Sequence, residues 1–181
     1  MLSKKHIEII IIGSGPGGYA AGFRAADLGR KVLIVDKDPT LGGVCLNRGC
    51  IPSKTLLHIA KVLEEAESLK NMGVGFSKPK IDIDGVRSWK SKIVTQLSNG
   101  ISQMAKARNV QTVQGEATFL SNSEIQIKSR SKKQIVTFDN CIIAAGSSSS
   151  TIPGVPTENK DVLTSKTALD LVRVPKNILI I

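Results

Sequence analysis

The sequence predicts an α/β fold in which a parallel sheet continues into a small antiparallel β-meander. Two short apolar runs, IEIIII at 7–12 and KVLIVD at 31–36, have the composition of strands buried on both faces. An alanine-rich helical segment lies between them, which makes a strand–helix–strand unit of about thirty residues. Four short alternating segments between 110 and 138 are separated by Ser, Asn and Lys turns, and they predict the meander.

The remaining elements follow in chain order. The first helix covers YAAGFRAADLG at 19–29, where small alanines allow close packing on the sheet and Gly29 ends the helix. Apolar residues at three- and four-residue spacing predict helices over 53–70 and 84–108, with Gly100 as a point where the second could break. The prediction closes with a buried strand at 141–145, a helix at 164–172 and the start of another buried strand at 177–181.

Composition indicates a soluble globular protein. The chain has 181 residues, of which 41% are hydrophobic and 22% charged, and this length suffices for one domain with a sizeable core. The longest apolar stretch, IEIIIIGSGPGGYAAGF, is interrupted by Gly and Pro, which argues against a membrane helix. The N-terminus has no leader pattern, so we expect a cytoplasmic protein with no membrane partner.

The net charge of +10 raises nucleic acid as a partner. The basic residues are scattered, however, and the densest run lies in a polar, turn-like stretch without aromatic residues: Lys128, Arg130, Lys132 and Lys133. We therefore interpret that run as a solvated hairpin and expect no nucleic-acid partner. A phosphate-bearing cofactor or an acidic partner domain accounts for part of the excess charge.

A glycine-rich turn, GSGPGG, follows the first strand directly. Gly13, Gly15 and Gly18 have the G-x-G-x-x-G spacing, which permits a tight turn, close approach of a pyrophosphate and close helix–strand packing. The helix N-terminus then directs free amides at the phosphates. Asp36 ends the next strand, where an acid holds the ribose hydroxyls. The unit predicts a Rossmann-like dinucleotide site, but it does not separate NAD from FAD.

Two of the three cysteines stand close together in GGVCLNRGCIPSK at 42–54. A zinc site needs four ligands, and the chain offers beyond this pair only Cys141, His6 and His58, so we expect no metal. A regular helix through both cysteines separates their Cα atoms by about 8–9 Å, too far for a disulfide. Gly49 permits a distortion, and Pro52 suits a first helical turn. Two interpretations of this pair remain open at this point: a redox pair and two buried structural cysteines. Cys141 lies in an apolar run and is interpreted as an unreactive core residue.

The glycine turn followed by GGVCLNRGCIPSK resembles the pyridine nucleotide–disulfide oxidoreductase family. Within the family, C-L-N-x-G-C-I-P-S-K is most similar to the branch that oxidises dihydrolipoamide. QGEATF at 114–119 and IIAAGS at 142–147 resemble two further flavin-contacting segments. The sequence departs from the family pattern at Arg48, where Val is commoner, and at Ser148–Ser149, where Arg-Pro is usual.

The resemblance implies the roles of individual residues. Cys45 is the thiol that exchanges with the substrate, Cys50 lies against the flavin as a thiolate, and Lys54 tunes the flavin. His58 reads as a surface or packing histidine. FAD is the implied cofactor, and the residues implied to bind it are Gly13, Gly15, Pro16, Gly17, Gly18, Asp36, Lys37, Gly42, Gly43, Val44, Cys45, Lys54, Gly115, Glu116, Ala117, Ala145, Gly146 and Ser147.

The resemblance also implies a longer enzyme. We assign 1–176 to an FAD-binding domain with a redox disulfide, and 177–181 to the first strand of an NAD-binding domain. In such an enzyme NAD accepts the electrons, a homodimer completes an acid/base pair, and the partner is the lipoyl domain of 2-oxo acid dehydrogenase complexes. We expect the 181-residue chain alone to lack turnover. Two alternatives stay open: a stand-alone FAD-binding or thiol-redox module, and a reductase for mercury or another disulfide.

Overall fold

The computed structural model describes residues 5–130, 132–150 and 152–181. The chain divides into two compact units. The first, which we call the sheet unit, comprises Met1–Asn47 and Thr95–Ser147. The second, the helical unit, comprises Arg48–Val94 and Ser148–Ile181.

A six-stranded sheet with the order β3-β2-β1-β6-β5-β4 forms the centre of the sheet unit. Its strands are β1 (Lys5–Ile12), β2 (Val32–Asp36), β3 (Gln111–Gln114), β4 (Glu116–Phe119), β5 (Glu124–Lys128) and β6 (Lys133–Ile143). Strands β3, β2, β1 and β6 pair in parallel, whereas β4, β5 and β6 pair antiparallel. The mixed α/β class, with a parallel sheet and an antiparallel part, is therefore confirmed.

Two strand predictions need correction. The segment VQTVQG was assigned to the meander, but β3 pairs in parallel with β2, because the β2 edge is free to accept it. The runs QIVTF and CIIAA, predicted as separate strands, form the single strand β6. Asp139 and Asn140 resemble turn residues, yet β1 pairs with β6 through this point, with Ile9 opposite Asn140. The far end of β6 is also more exposed than predicted, since Ile143 is 68% exposed.

The helices are α1 (Pro16–Asp27), α2 (Gly43–Arg48), α3 (Cys50–Ser68, extended by a 3₁₀ turn at Leu69–Met72), α4 (Ile83–Ala107) and α5 (Ser165–Ala168). Helix α4 runs through Gly100 without a break. Helix α5 is shorter than predicted, and Leu171, within the predicted range, has a non-helical φ of 50°. Residues 177–181 form no strand, and Leu179, Ile180 and Ile181 are exposed, so the proposed domain boundary there stays a prediction. Among the described helices, none is both long and apolar enough to cross a bilayer.

The core of the sheet unit lies on both faces of the sheet. Leu33 and Val35 pack with β5 and β6 residues on one face, while Val32 and Ile34 pack with α1 and α4 residues on the other. Full burial of each such aliphatic side chain stabilises the fold by about 1.5–3 kcal/mol. Gly22 allows α1 to approach, because a Cβ there would lie 2.9 Å from Ile34 Cδ1. This packing places the helix N-terminus at the carboxyl ends of the strands.

Candidate functional site

At two positions of the glycine turn between β1 and α1, neighbouring backbone atoms leave no room for a side chain. Gly13 has a φ of +103°, and a Cβ there would lie 2.1 Å from the Ala144 carbonyl oxygen. A Cβ on Gly18 would lie 1.9 Å from the Gly13 oxygen. The turn, the start of α1 and the end of β6 are therefore interlocked through backbone atoms. Of the turn residues, Pro16 and Gly17 are exposed.

The loop before α2 lies against the same turn. The Gly42 amide donates to the Ser14 oxygen over 2.9 Å. Gly43 has a φ of +60°, and a Cβ added at this position would lie 2.6 Å from Gly15 Cα. Only glycine therefore fits there. By contrast, a Cβ on Gly15 would meet Gly43 Cα at 3.9 Å, an ordinary contact. The first amides of α1 have no partner within the helix, so this junction offers hydrogen-bond donors and a positive dipole to an anion.

Asp36 connects the end of β2 to the glycine turn. Its Oδ2 accepts hydrogen bonds from the Ser14 amide and hydroxyl, both at 2.6 Å, and its Oδ1 accepts from the Asp38 amide at 2.9 Å. Burial raises the pKa of this carboxyl, but the hydrogen bonds from Ser14 and Asp38 outweigh burial and leave the pKa below its usual value. Asp36 is thus held ionised as a hydrogen-bond acceptor beside the turn.

Replacement of Asp36 by Asn is expected to alter stability in a pH-dependent way. A carboxyl whose pKa is lower in the folded chain stabilises the fold above its unfolded pKa, and this contribution is lost as the pH falls through the folded pKa. Asp36→Asn should therefore have a lower melting temperature than the wild type near pH 7. This difference in melting temperature, the gap, should close as the pH falls below about 4. Thermal unfolding by circular dichroism between pH 2 and 8 measures this gap.

Asp27→Asn is the matched control for this measurement, because it also removes one carboxylate and disrupts only a partly exposed pair with Arg108. A single surface pair of this kind contributes about 0–1 kcal/mol. A gap for Asp36→Asn that is constant with pH would contradict the assignment of an ionised, hydrogen-bonded carboxylate.

A cavity of about 130 Å³ opens beside Asp36. Its walls come from the end of β2, the following loop, the last turns of α4 and strand β3, and they include Asp36, Leu41, Ser102, Ala105, Lys106 and Gln114. Sequence reasoning did not predict Leu41, Ser102, Ala105 or Lys106 as site residues. Helical periodicity marks the apolar face of α4, but it does not reveal which turn of the helix ends at a cavity.

The segment between β3 and β4 is fixed to the end of β2. The Gly115 amide donates to the Asp36 carbonyl oxygen over 2.8 Å. Gly115 is buried, and a Cβ there would lie 2.7 Å from Ile127 Cγ2. Glu116 is exposed, and Ala117 packs partly buried against the core. Lys37 is exposed, and its carbonyl accepts a hydrogen bond from the Gln114 side chain.

The segment after β6 begins beside the glycine turn. The Ala144 amide donates to the Ile12 oxygen over 2.8 Å, and the Ala144 carbonyl faces Gly13. The three predicted residues that follow, Ala145, Gly146 and Ser147, are exposed. Gly146 has a φ of +71°, a conformation that favours glycine. The carboxyl ends of parallel strands are the usual binding edge of such sheets.

The two motif cysteines occupy different helices. Cys45 lies in α2 and is half-buried, whereas Cys50 is exposed and begins α3. Gly49, with φ −142° and ψ −101°, interrupts the helical backbone between them, which is the distortion that the sequence permits there. Pro52 is buried in the first turn of α3. Cys50 and Cys141 are free thiols in this structure.

The other predicted residues of α2, α3 and β6 differ in exposure. Lys54 and His58 are both exposed on α3, and Val44 is 51% exposed on α2. Cys141 lies in β6 against the core, where burial raises the pKa of its thiol. A thiol with a raised pKa has a smaller thiolate fraction and reacts more slowly. Within the described ranges, no three His, Cys, Asp or Glu side chains are grouped to hold a metal ion.

Comparison with known proteins bears on the whole chain. The family model for pyridine nucleotide-disulphide oxidoreductase matches residues 7–181. The dihydrolipoyl dehydrogenase of Vibrio cholerae is 48% identical over 173 residues, which are 96% of this chain and 36% of that protein. The dihydrolipoyl dehydrogenase of Buchnera aphidicola subsp. Acyrthosiphon pisum is 46% identical over 100% of this chain and 38% of its own length. That of Bacillus subtilis is 40% identical over 96% of this chain and 37% of its own length. The chain therefore spans just over a third of the length of these relatives, and it belongs to the pyridine nucleotide–disulphide oxidoreductase family.

Proposed function

We propose that this chain is the FAD-binding region of a dihydrolipoyl dehydrogenase. The observation that carries the proposal is the junction at the N-terminus of α1, where Gly13, Gly18 and Gly43 each lie too close to neighbouring backbone for a side chain. The sequence continues from this junction directly into the Cys45–Cys50 segment. The names of the relatives, at 40–48% identity, support the dihydrolipoyl branch.

The residues of the sheet unit fit a flavin dinucleotide. The exposed first turn of α1 suits the pyrophosphate, the ionised Asp36 suits ribose hydroxyls, and the 130 Å³ cavity beside Asp36 suits the adenine. We assign further contacts to Lys37, Gly42, Gly43 and Val44, and to the segments 115–117 and 145–147. When bound, FAD supplies an acceptor for two electrons.

The thiols account for the exchange with substrate. In the oxidised form, Cys45 and Cys50 share a disulfide, and a dihydrolipoamide thiolate attacks the sulfur of Cys45. The S–S bond breaks, Cys50 leaves as a thiolate, and the second substrate thiolate then displaces Cys45. The substrate loses two electrons and two protons, and the cysteine pair gains them. We assign Lys54 to the flavin side of this pair, where its positive charge tunes the flavin.

The remaining roles concern the longer protein. NAD as final electron acceptor, a homodimer, a lipoyl domain as partner and a cytoplasmic location are proposed by analogy with the dihydrolipoyl dehydrogenases that the chain matches. Turnover of dihydrolipoamide is proposed for the longer protein and not for the 181 residues alone, because the chain covers 36–38% of the first relatives compared.

The test is the visible absorption spectrum of the purified chain with added FAD, before and after mild dithiol reduction. We expect a protein-bound flavin spectrum that gains a long-wavelength charge-transfer band on reduction, since Cys50 is then a thiolate beside the flavin. Absence of bound flavin would contradict the proposed FAD-binding function of this region. Bound flavin without the band would contradict the placement of Cys50.

A further inference from the structure

The hairpin that joins β5 to β6 carries a concentration of positive charge outside the site described above. Lys128, Arg130, Lys132 and Lys133 are all exposed. The Ser129 amide donates to the Lys132 oxygen over 2.9 Å and so closes the turn. We call these four side chains the basic tip. The proposed function assigns no role to them.

We propose that the basic tip attracts the pyrophosphate of the incoming dinucleotide and so raises the rate at which the cofactor site is filled. This inference rests on the proposed FAD binding. The ligand of the tip is a dinucleotide that carries two negative charges. The tip raises the rate of association with this ligand and makes no contact with the bound cofactor.

Contacts within the sheet unit place the tip beside the adenosine end of the site. The Ser129 hydroxyl donates to the Gln114 oxygen over 2.8 Å, and a Cβ on Gly115 would lie 3.0 Å from the Lys128 oxygen. The Gly115 amide in turn bonds the Asp36 carbonyl. Gln114 and Asp36 both line the 130 Å³ cavity. The backbone that carries the tip is therefore in contact with backbone of the cavity wall.

The balance of charge at this end is positive. Glu116 stands opposite Lys128 in the β4–β5 register and offsets one charge of the tip. Asp36 and Asp38 line the cavity, but Lys106 lines it as well, and Lys37 is exposed between the two acids. The Debye length is about 8 Å at physiological salt and about 30 Å at 0.01 M, so the charges of the tip act on an approaching anion most strongly at low salt. Clustered charge of this kind raises association rates by about 10-fold or more at low salt.

The tip lacks features that would indicate nucleic acid. Residues 128–133 contain no aromatic side chain for stacking on bases, and neither neighbouring strand extends a basic surface along a groove. A small dianion needs neither feature. An anionic cofactor is therefore the ligand that the tip fits.

The test compares flavin association rates for the FAD-free 181-residue chain by stopped-flow fluorescence, at ionic strengths from about 10 mM to 500 mM. The variant R130Q/K132Q/K133Q removes three charges and leaves Lys128 with Glu116. The control R24Q/R30Q/K31Q also removes three charges, from the last turn of α1 and the loop before β2, at the end of β2 that lies away from Asp36.

For the tip variant we expect association to be slower by about 3- to 10-fold at the lowest salt, with an unchanged dissociation rate and no difference at 500 mM. The control should associate like the wild type. Equal rates for tip variant and wild type, an equal loss in the control, or an effect on dissociation alone would each overturn the proposal. If the wild type binds no FAD, the proposed function fails as well; if it binds FAD at salt-independent rates, only this inference fails.

Discussion

Gly18→Ala is expected to abolish FAD binding and to destabilise the chain by about 2–4 kcal/mol. The new Cβ would lie 1.9 Å from the Gly13 oxygen and 2.8 Å from the Gly13 carbonyl carbon. Both are backbone atoms, and Gly13 cannot retreat because its own site lies against the Ala144 carbonyl. Relief of the clash therefore requires α1 to move away from β1, and this movement opens the junction proposed to hold the pyrophosphate.

Gly100→Ala is the matched control for this substitution. Gly100 lies within α4, and nothing stands within 4 Å of its added Cβ. Alanine in a helix interior is more stable than glycine by about 0.5–1 kcal/mol, so the control should melt slightly higher than the wild type. Denaturant unfolding and FAD titration of both variants separate the two effects. A Gly18→Ala chain with wild-type affinity for FAD would disprove the role given to this turn.

Cys50→Ser is expected to remove the long-wavelength absorption band of the reduced, FAD-loaded chain completely. The band requires an electron-rich thiolate beside the flavin, and a serine hydroxyl is not ionised at neutral pH. Cys50 is exposed at the beginning of α3. Flavin binding itself should persist, because the serine is nearly isosteric with the cysteine.

Two further substitutions make the assignment specific. Cys45→Ser should show the band without any reductant, since the Cys50 sulfur then has no disulfide partner. Cys141→Ser should behave like the wild type, because Cys141 packs against the core in β6 and burial raises the pKa of its thiol. If Cys50→Ser keeps the band while Cys45→Ser loses it, the two cysteines have exchanged the roles proposed here.

The parts of the fold that local chemistry dictates could be predicted from the sequence. The β1–α1–β2 unit was predicted because isoleucine-rich runs and the glycine spacing each satisfy a local geometric need. A distortion at Gly49 was also predicted to be possible, and a regular helix without it would keep Cys45 and Cys50 apart. Helix α4 was predicted nearly to its ends from spacing alone.

The parts that depend on distant partners could not be predicted. Strand β3 joins the parallel sheet because β2 offers a free edge, and nothing within VQTVQG specifies that partner. Asp139 and Asn140 continue β6 because β1 supplies hydrogen bonds there. The cavity is likewise a product of tertiary packing, as Lys106 of α4 and Gln114 of β3 meet only in the folded chain.

The pairing of β1 with β6 has a consequence for biosynthesis. His6 and Thr137 are hydrogen-bonded neighbours, yet they lie 131 positions apart in the chain. At a translation rate of about 5–20 residues per second, the first strand leaves the ribosome on the order of ten seconds before its second partner exists. During that interval an isoleucine-rich strand edge is exposed to water with unpaired backbone groups, which is the kind of surface on which nascent chains aggregate. Strand β1 is thus fully paired only after β6 has been synthesised.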